Sequence, residues 1–272
     1  MKKIAVLIQA HNNIESIISF SKRFKEINFY LHYDKKSIID NNQLLKIASS
    51  NILFIQERID VHWGGFSQVR ATLTLLEHAF SNPDNQYFHL ISGDCLPLIS
   101  FEEMSDIWDG YGDVACIEIM DRPDIYWRLN IKVPFSDNGN LRKPFFRCLN
   151  KFYKFLGSIY KFTCLPKKYY CYGSQWFSLK RSHVAIVLND DNREFINNFV
   201  NISCADEHVF QMISIKENFR TIGNQRFINF EKKSNSPSFL SLEQLNLAKS
   251  NNFWFARKVN IFNKERFERE RN

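Results

Sequence analysis

Residues 2–12, KKIAVLIQAHN, hold an unbroken apolar run that gives way to polar residues. A run of that length is what a strand buried on both faces presents. From Ile14 the period changes: IESIISFSKRFKE (14–26) repeats its apolar positions at helical spacing, and INFYLHYDKKS (27–37) returns to a strand. A helix near 41–49, a strand over 51–57, a helix over 67–80 and a strand over 85–98 that ends in a loop follow. FEEMSDIWDGY (101–111) predicts a further helix and DVACIEIM (113–120) a further strand. Strand alternating with helix implies α/β architecture, a mainly parallel Rossmann-like sheet flanked by helices. No internal repeat, low-complexity tract or obvious linker interrupts the pattern.

In sheets of this kind ligands bind at the carboxyl ends of the strands. The polar residues there are Ala10-His11-Asn12 after the first strand, His32-Tyr33-Asp34 in the second and Ser92-Gly93-Asp94 in the fourth. A different signal comes from SCADEHVFQMI (203–213), which sets two carboxylates and a histidine at the front of an apolar run. A serine followed three positions later by an acid is an ordinary helix N-terminus. A catalytic base is the alternative.

Composition narrows the field. With 272 residues and 44% hydrophobic content the chain can bury a large core, and no apolar run approaches the roughly 20 residues of a membrane span. The N-terminus lacks the cleavage pattern of a signal peptide. Six cysteines without C-x-x-C spacing fit reduced thiols, so neither zinc nor disulfides are expected. The net charge of +7 is concentrated: residues 142–168 carry eight Lys and Arg, and no acid occurs between Asp137 and Asp190. The cations alternate with Phe145, Phe146, Leu149, Phe152, Tyr153, Leu156 and Ile159 at roughly helical spacing. Two readings stand: a helix lying on anionic lipid, or one that docks its aromatics into the core with lysines in water. No reader motif accompanies the patch, which argues against nucleic acid as a partner.

Missing motifs are informative as well. G-x-G-x-x-G, G-x-x-x-x-G-K-[ST] and G-x-S-x-G do not occur. D-x-D, a common carboxylate pair for the divalent cation on a diphosphate, is also absent. A diphosphate would need another counter-charge, and Arg257 and Lys258 in NNFWFARKVNIF (251–262) can supply it without metal. Two exposed cations at a strand edge are the plainer reading.

Taken in order and spacing, HYDKKS, HWGGFSQVRATLTLL, YFHLISGDCLPL, YGSQWFSLKRSHVAIVL, CADEHVF and FWFARKV resemble the core-2/I-branching enzymes, glycosyltransferase family 14. The likeness runs from about residue 3 to 260. It implies a GT-A-like fold and an inverting, metal-independent transferase with a UDP-sugar donor and no cofactor. Members include branching β-1,6-N-acetylglucosaminyltransferases and peptide O-xylosyltransferases. On this resemblance the chain is one domain, 1–272, with a nucleotide-binding half (1–120) and an acceptor half (121–272).

Carried onto this sequence, the resemblance assigns the general base to Glu207. A carboxylate facing the anomeric carbon opposite the leaving diphosphate suits that role, and a helix N-terminus helps keep it ionised. Asp206 is then expected as the cap, and His208 as a packing or hydrogen-bonding residue. Lys258 matches the lysine that contacts the donor diphosphate, with Arg257 beside it. The partner arginine of some members has no counterpart in KKSNSPSFL, so Arg226 is the substitute, with Lys232 and Lys233 behind it. Ala10, His11 and Asp34 fall on the nucleotide pocket. Asp94, Ser174, Gln175 and Trp176 fall on sugar or acceptor positions, and Trp63 and Trp176 are read either as core residues or as platforms for a sugar face, with core the favoured reading for Trp63.

The expected reaction moves N-acetylglucosamine from UDP-GlcNAc to a glycan hydroxyl of a surface polysaccharide or lipooligosaccharide. Transfer of xylose or another UDP-sugar is the alternative enzyme, and a sugar-nucleotide- or glycan-binding protein the alternative class. Without the anchor, stem and disulfides of animal members, the chain is expected to be a bacterial cytoplasmic enzyme. A peripheral position on the inner face of the membrane would give it a lipid-linked acceptor.

Overall fold

The computed structural model describes residues 3–139, 143–231, 236–260, and positions 263, 264, 266 and 267. Arg142, Lys232 and Lys233, named above for their charge, lie outside the described residues.

The first half alternates as its apolar pattern predicts. β1 (Lys3–Ala10), α1 (Ile14–Arg23), β2 (Asn28–Tyr33), α2 (Asn41–Ala48), β3 (Ile52–Phe54), α3 (Phe66–Phe80) and β4 (Asn85–Ser92) follow in turn. After β4 the chain makes a short β5 (Leu96–Pro97), α4 (Phe101–Gly110) and β6 (Ala115–Cys116). The second half carries α5 (Trp127–Asn130), α6 (Pro144–Ile159), β7 (Ser178–Lys180), α7 (Arg181–Val187), α8 (Asp190–Asn197) and α9 (Val209–Lys216). It ends with β8 (Thr221–Ile222), β9 (Arg226–Ile228), α10 (Leu242–Ser250) and β10 (Phe255–Arg257).

Seven strands form one sheet in the order β3-β2-β1-β4-β7-β6-β8. β1 to β4 pair in parallel, and β7 runs antiparallel to both of its neighbours. β5, β10 and β9 form a second, three-stranded sheet. The single strand expected over 85–98 is therefore two, because the turn after Ser92 sends Leu96–Pro97 across to pair with β10. The expected strand 113–120 shortens to Ala115–Cys116, where pairing with β7 and β8 is available.

Side chains of a strand alternate between faces, and β1 divides its residues accordingly. Ala5 and Leu7 pack with α3, α7 and α9 on one side, and Ile4, Val6 and Ile8 with α1 and α4 on the other. Burying each large aliphatic side chain contributes about 1.5–3 kcal/mol. The same alternation puts Gln9, the last polar residue of β1, on the α3 and α9 side. Among the described residues, no helix is long and apolar enough to cross a membrane.

Candidate active site

The expected cap at SCADEHVFQMI does not form. α9 starts at Val209, and Ala205–Glu207 make a separate 3-10 turn behind Cys204, whose φ of 53° is left-handed. Neither Ser203 nor Asp206 caps either element with its side chain. The turn is held by backbone instead: Cys204 N donates to Gly64 O at 2.8 Å, and Gly173 N donates to Glu207 O at 2.9 Å. Gly173 is required at that contact, because a Cβ there would lie 2.0 Å from the carbonyl oxygen of Glu118. Glu118 also holds this loop by accepting from Ser174 N at 2.9 Å.

The two carboxylates have opposite surroundings. Glu207 is partly exposed, and Arg128 of α5 donates through Nη1 to its Oε2 at 2.8 Å, the pair remaining 22% and 30% exposed. Burial raises the Glu207 pKa above the ordinary carboxylate range, while Arg128, and more weakly Arg122, oppose the rise. Asp206 is buried, and burial followed by the charge of Glu207 raises its pKa far more clearly. Two acids whose environments separate them in this way can hold one neutral and one ionised form together. His208 serves neither: it is buried, its Nδ1 donates to Cys171 O at 2.7 Å, and burial lowers its pKa to about 3.

A chain of amides runs from Asp206 across the sheet end. Gln68 Nε2 donates to Asp206 Oδ2 at 3.2 Å and to Gln175 Oε1 at 3.1 Å. Gln175 Nε2 donates to Gln9 Oε1 at 2.6 Å, and Gly64 N donates to Gln68 Oε1 at 2.6 Å. Trp176, next in sequence, is 9% exposed and lies 4.7 Å beneath the Arg257 guanidinium. Arg257 also donates to Ser92 Oγ at the end of β4. Asp94, two residues on, accepts from Asn13 Nδ2 at 3.1 Å, and its carbonyl accepts from Val259 N at 2.9 Å. Lys258, between Arg257 and Val259, is half-buried.

The other strand ends form a second wall. Asp34 N donates to Ala10 O at 2.8 Å, and Asp34 Oδ1 accepts from Lys36 N at 2.9 Å. His11 is exposed, and its carbonyl accepts from Ser37 Oγ at 2.6 Å. Arg58 ties this wall together by donating to the carbonyl oxygens of Tyr33, Asp34 and Ser37.

Three expectations need correction. Arg226 does not face the donor side: it is buried, and its Nη2 donates to Leu90 O, Phe177 O and Ser178 Oγ at 3.1, 2.6 and 2.9 Å. With its Nη atoms given to carbonyl and hydroxyl oxygens and the Phe255 ring 5.0 Å away, this buried guanidinium works as a core cation. Asp206 is a buried member of the amide chain and not a cap. Trp63 is not a core residue, being 49% exposed at the turn before α3. Sequence reasoning also missed Arg128, Gln9 and Glu118, none of which stood out by spacing. Gln68 lay within a quoted motif without a role.

Among the described residues, no group of three or more His, Cys, Asp or Glu side chains is placed to hold a metal ion. What the arrangement offers is an ion-paired carboxylate on one side of the strand ends and a stacked arginine with a neighbouring lysine on the other.

An α/β domain with this site, matched over residues 5–248 by the model of the Core-2/I-Branching enzyme, is a glycosyltransferase. The chain belongs to the core-2/I-branching enzyme family. Three solved structures are similar at low identity. Mouse xyloside xylosyltransferase 1, in its apo form, is 8% identical with a TM-score of 0.42, over 96% of this chain and 99% of that one. Core-mannan synthase A from Aspergillus fumigatus, in an Mn/GDP form, is 12% identical with a TM-score of 0.39, over 90% and 82%. The 4-diphosphocytidyl-2C-methyl-D-erythritol synthase of Anaerococcus prevotii is 12% identical with a TM-score of 0.39, over 92% and 96%. A search of curated protein sequences finds no significant match.

Proposed function

We propose that the protein is an inverting transferase that moves N-acetylglucosamine from UDP-GlcNAc to a hydroxyl of a surface glycan, without a metal ion. The observation that carries this reading is the connection of Glu207 to Arg257 through Asp206, Gln68, Gln175 and Trp176. It supports a shared cleft with a base at one end and cations at the other.

In this mechanism the acceptor hydroxyl gives its proton to Glu207 as its oxygen attacks the anomeric carbon. The bond from that carbon to the diphosphate oxygen breaks, and UDP leaves with the electron pair. Arg257 and Lys258 meet the charge that develops on the diphosphate. Attack from the face opposite the leaving group inverts an α-linked donor to a β product. Arg128 favours the anion of Glu207 against its burial, and the raised pKa of Asp206 favours the neutral acid, which adds no second charge to repel it. Ala10, His11 and Asp34 line the nucleotide wall. Asp94 and the Ser174-Gln175-Trp176 loop stand between the two ends, where the transferred sugar would sit. Trp63, exposed near the base, offers a face for the acceptor sugar.

Missing D-x-D and present cations support metal independence. A panel of UDP-sugars assayed for UDP release, with and without EDTA, tests the reading. UDP-GlcNAc should be the best donor, with turnover unchanged by EDTA. Glu207→Gln should lower turnover by roughly 10²–10⁴-fold and leave UDP affinity nearly unchanged. EDTA inhibition reversed by magnesium or manganese would refute metal independence. Full turnover by Glu207→Gln would refute the base.

A further inference from the structure

α6 presents three faces where a packed surface helix presents two. Phe146, Leu149, Tyr153, Leu156 and Gly157 turn toward the body of the protein, at helical spacing. Phe146 and Tyr153 meet the Phe135 ring at 5.1 and 5.5 Å, and Gly157 O accepts from Asn130 Nδ2 at 2.8 Å. Gly157 permits this approach, because a Cβ there would lie 2.5 Å from Trp127 O. Arg147, Lys151 and Lys154 form a second, exposed basic face. The third face is apolar and exposed: Phe145, Phe152, Phe155 and Ile159 are 72, 55, 61 and 56% exposed. Phe162, beyond the helix end, extends the patch at 62%.

The sequence allowed either a core-docking or a lipid-binding helix, and α6 has the residues for both at once. Its inner face already satisfies the core, so the outer aromatics are not needed for folding. Large apolar side chains left together in water mark a surface that meets something apolar. The flanking charge decides what: α6 lies within the stretch from Asp137 to Asp190, which contains no acid. Two copies of this chain meeting there would bring lysine against lysine, whereas anionic headgroups would be attracted to every one of them.

We propose that the outer faces of α6 dock on an anionic phospholipid surface, the aromatic face entering the interface and the lysines reaching headgroups. Insertion of an apolar face beside a basic one is how interfacial helices bind, and lysine stems can lie along the apolar boundary with their ammonium groups in water. The inner face of α6 rests on α5, the element that carries Arg128. Docking therefore holds the Arg128–Glu207 pair directly behind the membrane contact, on the side where a lipid-linked acceptor would arrive. The orientation toward such an acceptor rests on the transferase reading, and the docking does not.

Co-sedimentation with vesicles tests the docking. The wild type should pellet with phosphatidylglycerol–phosphatidylcholine vesicles and stay in the supernatant with phosphatidylcholine alone. Phe152→Ser with Phe155→Ser, and separately Lys151→Glu with Lys154→Glu, should each weaken binding by about tenfold or more. All four positions are exposed, so both double variants should melt at the wild-type temperature and release UDP from a UDP-sugar and a soluble acceptor at the wild-type rate. Failure of the wild type to bind anionic vesicles would overturn the proposal, as would undiminished binding by both variants. A dimer in sedimentation velocity that the Phe pair dissolves, without vesicle binding, would assign the face to a second copy and equally overturn it. Vesicle binding without UDP release from any sugar would sink the transferase reading and leave the docking standing.

Discussion

Arg128 Nη1 donates to Glu207 Oε2 at 2.8 Å across 79 positions of sequence, from a four-residue helix to a 3-10 turn. This contact opposes the effect of burial on the carboxylate. Burial favours the neutral acid, the guanidinium favours the anion, and the net result is a pKa above the ordinary value. A base so placed accepts a proton more readily than an exposed glutamate, provided it stays ionised at working pH.

Arg128→Met removes the opposing charge and should raise the Glu207 pKa further. The proposed base acts as the anion, so on that reading kcat/KM falls as pH drops through the pKa of Glu207, and the acidic limb should move to higher pH. Activity at neutral pH falls and partly recovers on the alkaline side, while Arg128→Lys moves the limb less. A limb that stays in place in both variants would show that Arg128 acts only in folding.

Asp206 titrates in the folded protein at about 8, raised first by burial and then by Glu207. Below the ordinary carboxylate range both folded and unfolded chains hold its proton. From there up to about 8 only the folded chain does, so this group's contribution to stability declines as pH rises through that window. Asp206→Asn, which can keep the bond from Gln68, should remove the decline. Its melting temperature should gain on the wild type with increasing pH, and a pH-independent difference would contradict the assignment.

Arg226→Ala removes a buried donor from Leu90 O, Phe177 O and Ser178 Oγ, although Phe177 O keeps its bond from Leu90 N. A loss of about 1–3 kcal/mol in urea unfolding is expected from the lost buried hydrogen bonds. UDP affinity of the folded fraction should stay at the wild-type value. A large loss of UDP affinity with stability intact would restore Arg226 to the donor site.

Gly157→Ala places a methyl against Trp127 O, and overpacking of this type costs about 1–3 kcal/mol. Because α5 gives way on the same side as Arg128, kcat should fall as well, while UDP affinity, which the proposal assigns to Arg257 and Lys258, stays unchanged. Equal effects on kcat and UDP affinity would point to general loosening instead.

Arg257→Ala and Lys258→Ala should each lower kcat/KM for the donor by roughly 10–100-fold, the effect of one lost charge-assisted hydrogen bond. Arg257→Lys should not restore it, because the planar stack on Trp176 is lost with the guanidinium. Unchanged donor kinetics in both alanine variants would require another counter-charge.

Much of the strand-end wall was legible in the chain. The apolar runs of β1, β2 and β4 end at Ala10, Asp34 and Ser92, and register alone carries those ends to one edge of the sheet. Turn chemistry was less readable. At 203–208 the residues spell a helix cap, yet Cys204 is left-handed and the backbone of Gly64 and Gly173 holds the turn, so no side-chain cap is needed. Arg226 and Arg257 look alike as isolated cations, and packing separates them: one is buried among carbonyls, and the other, half-buried, stacks on the Trp176 ring.

What the sequence determined alone is the alternating order of strands and helices, the polar strand ends, the acidic pair at Asp206–Glu207 and the basic aromatic stretch. Those features follow from period and composition, which act over a few residues. Tertiary structure decided which acid is paired and which is buried, which arginine is free to meet a ligand, and which face of α6 remains uncovered. Each of those depends on contacts between residues far apart in the chain, and burial and charge are properties of the assembled surroundings of a side chain. Its identity cannot state them.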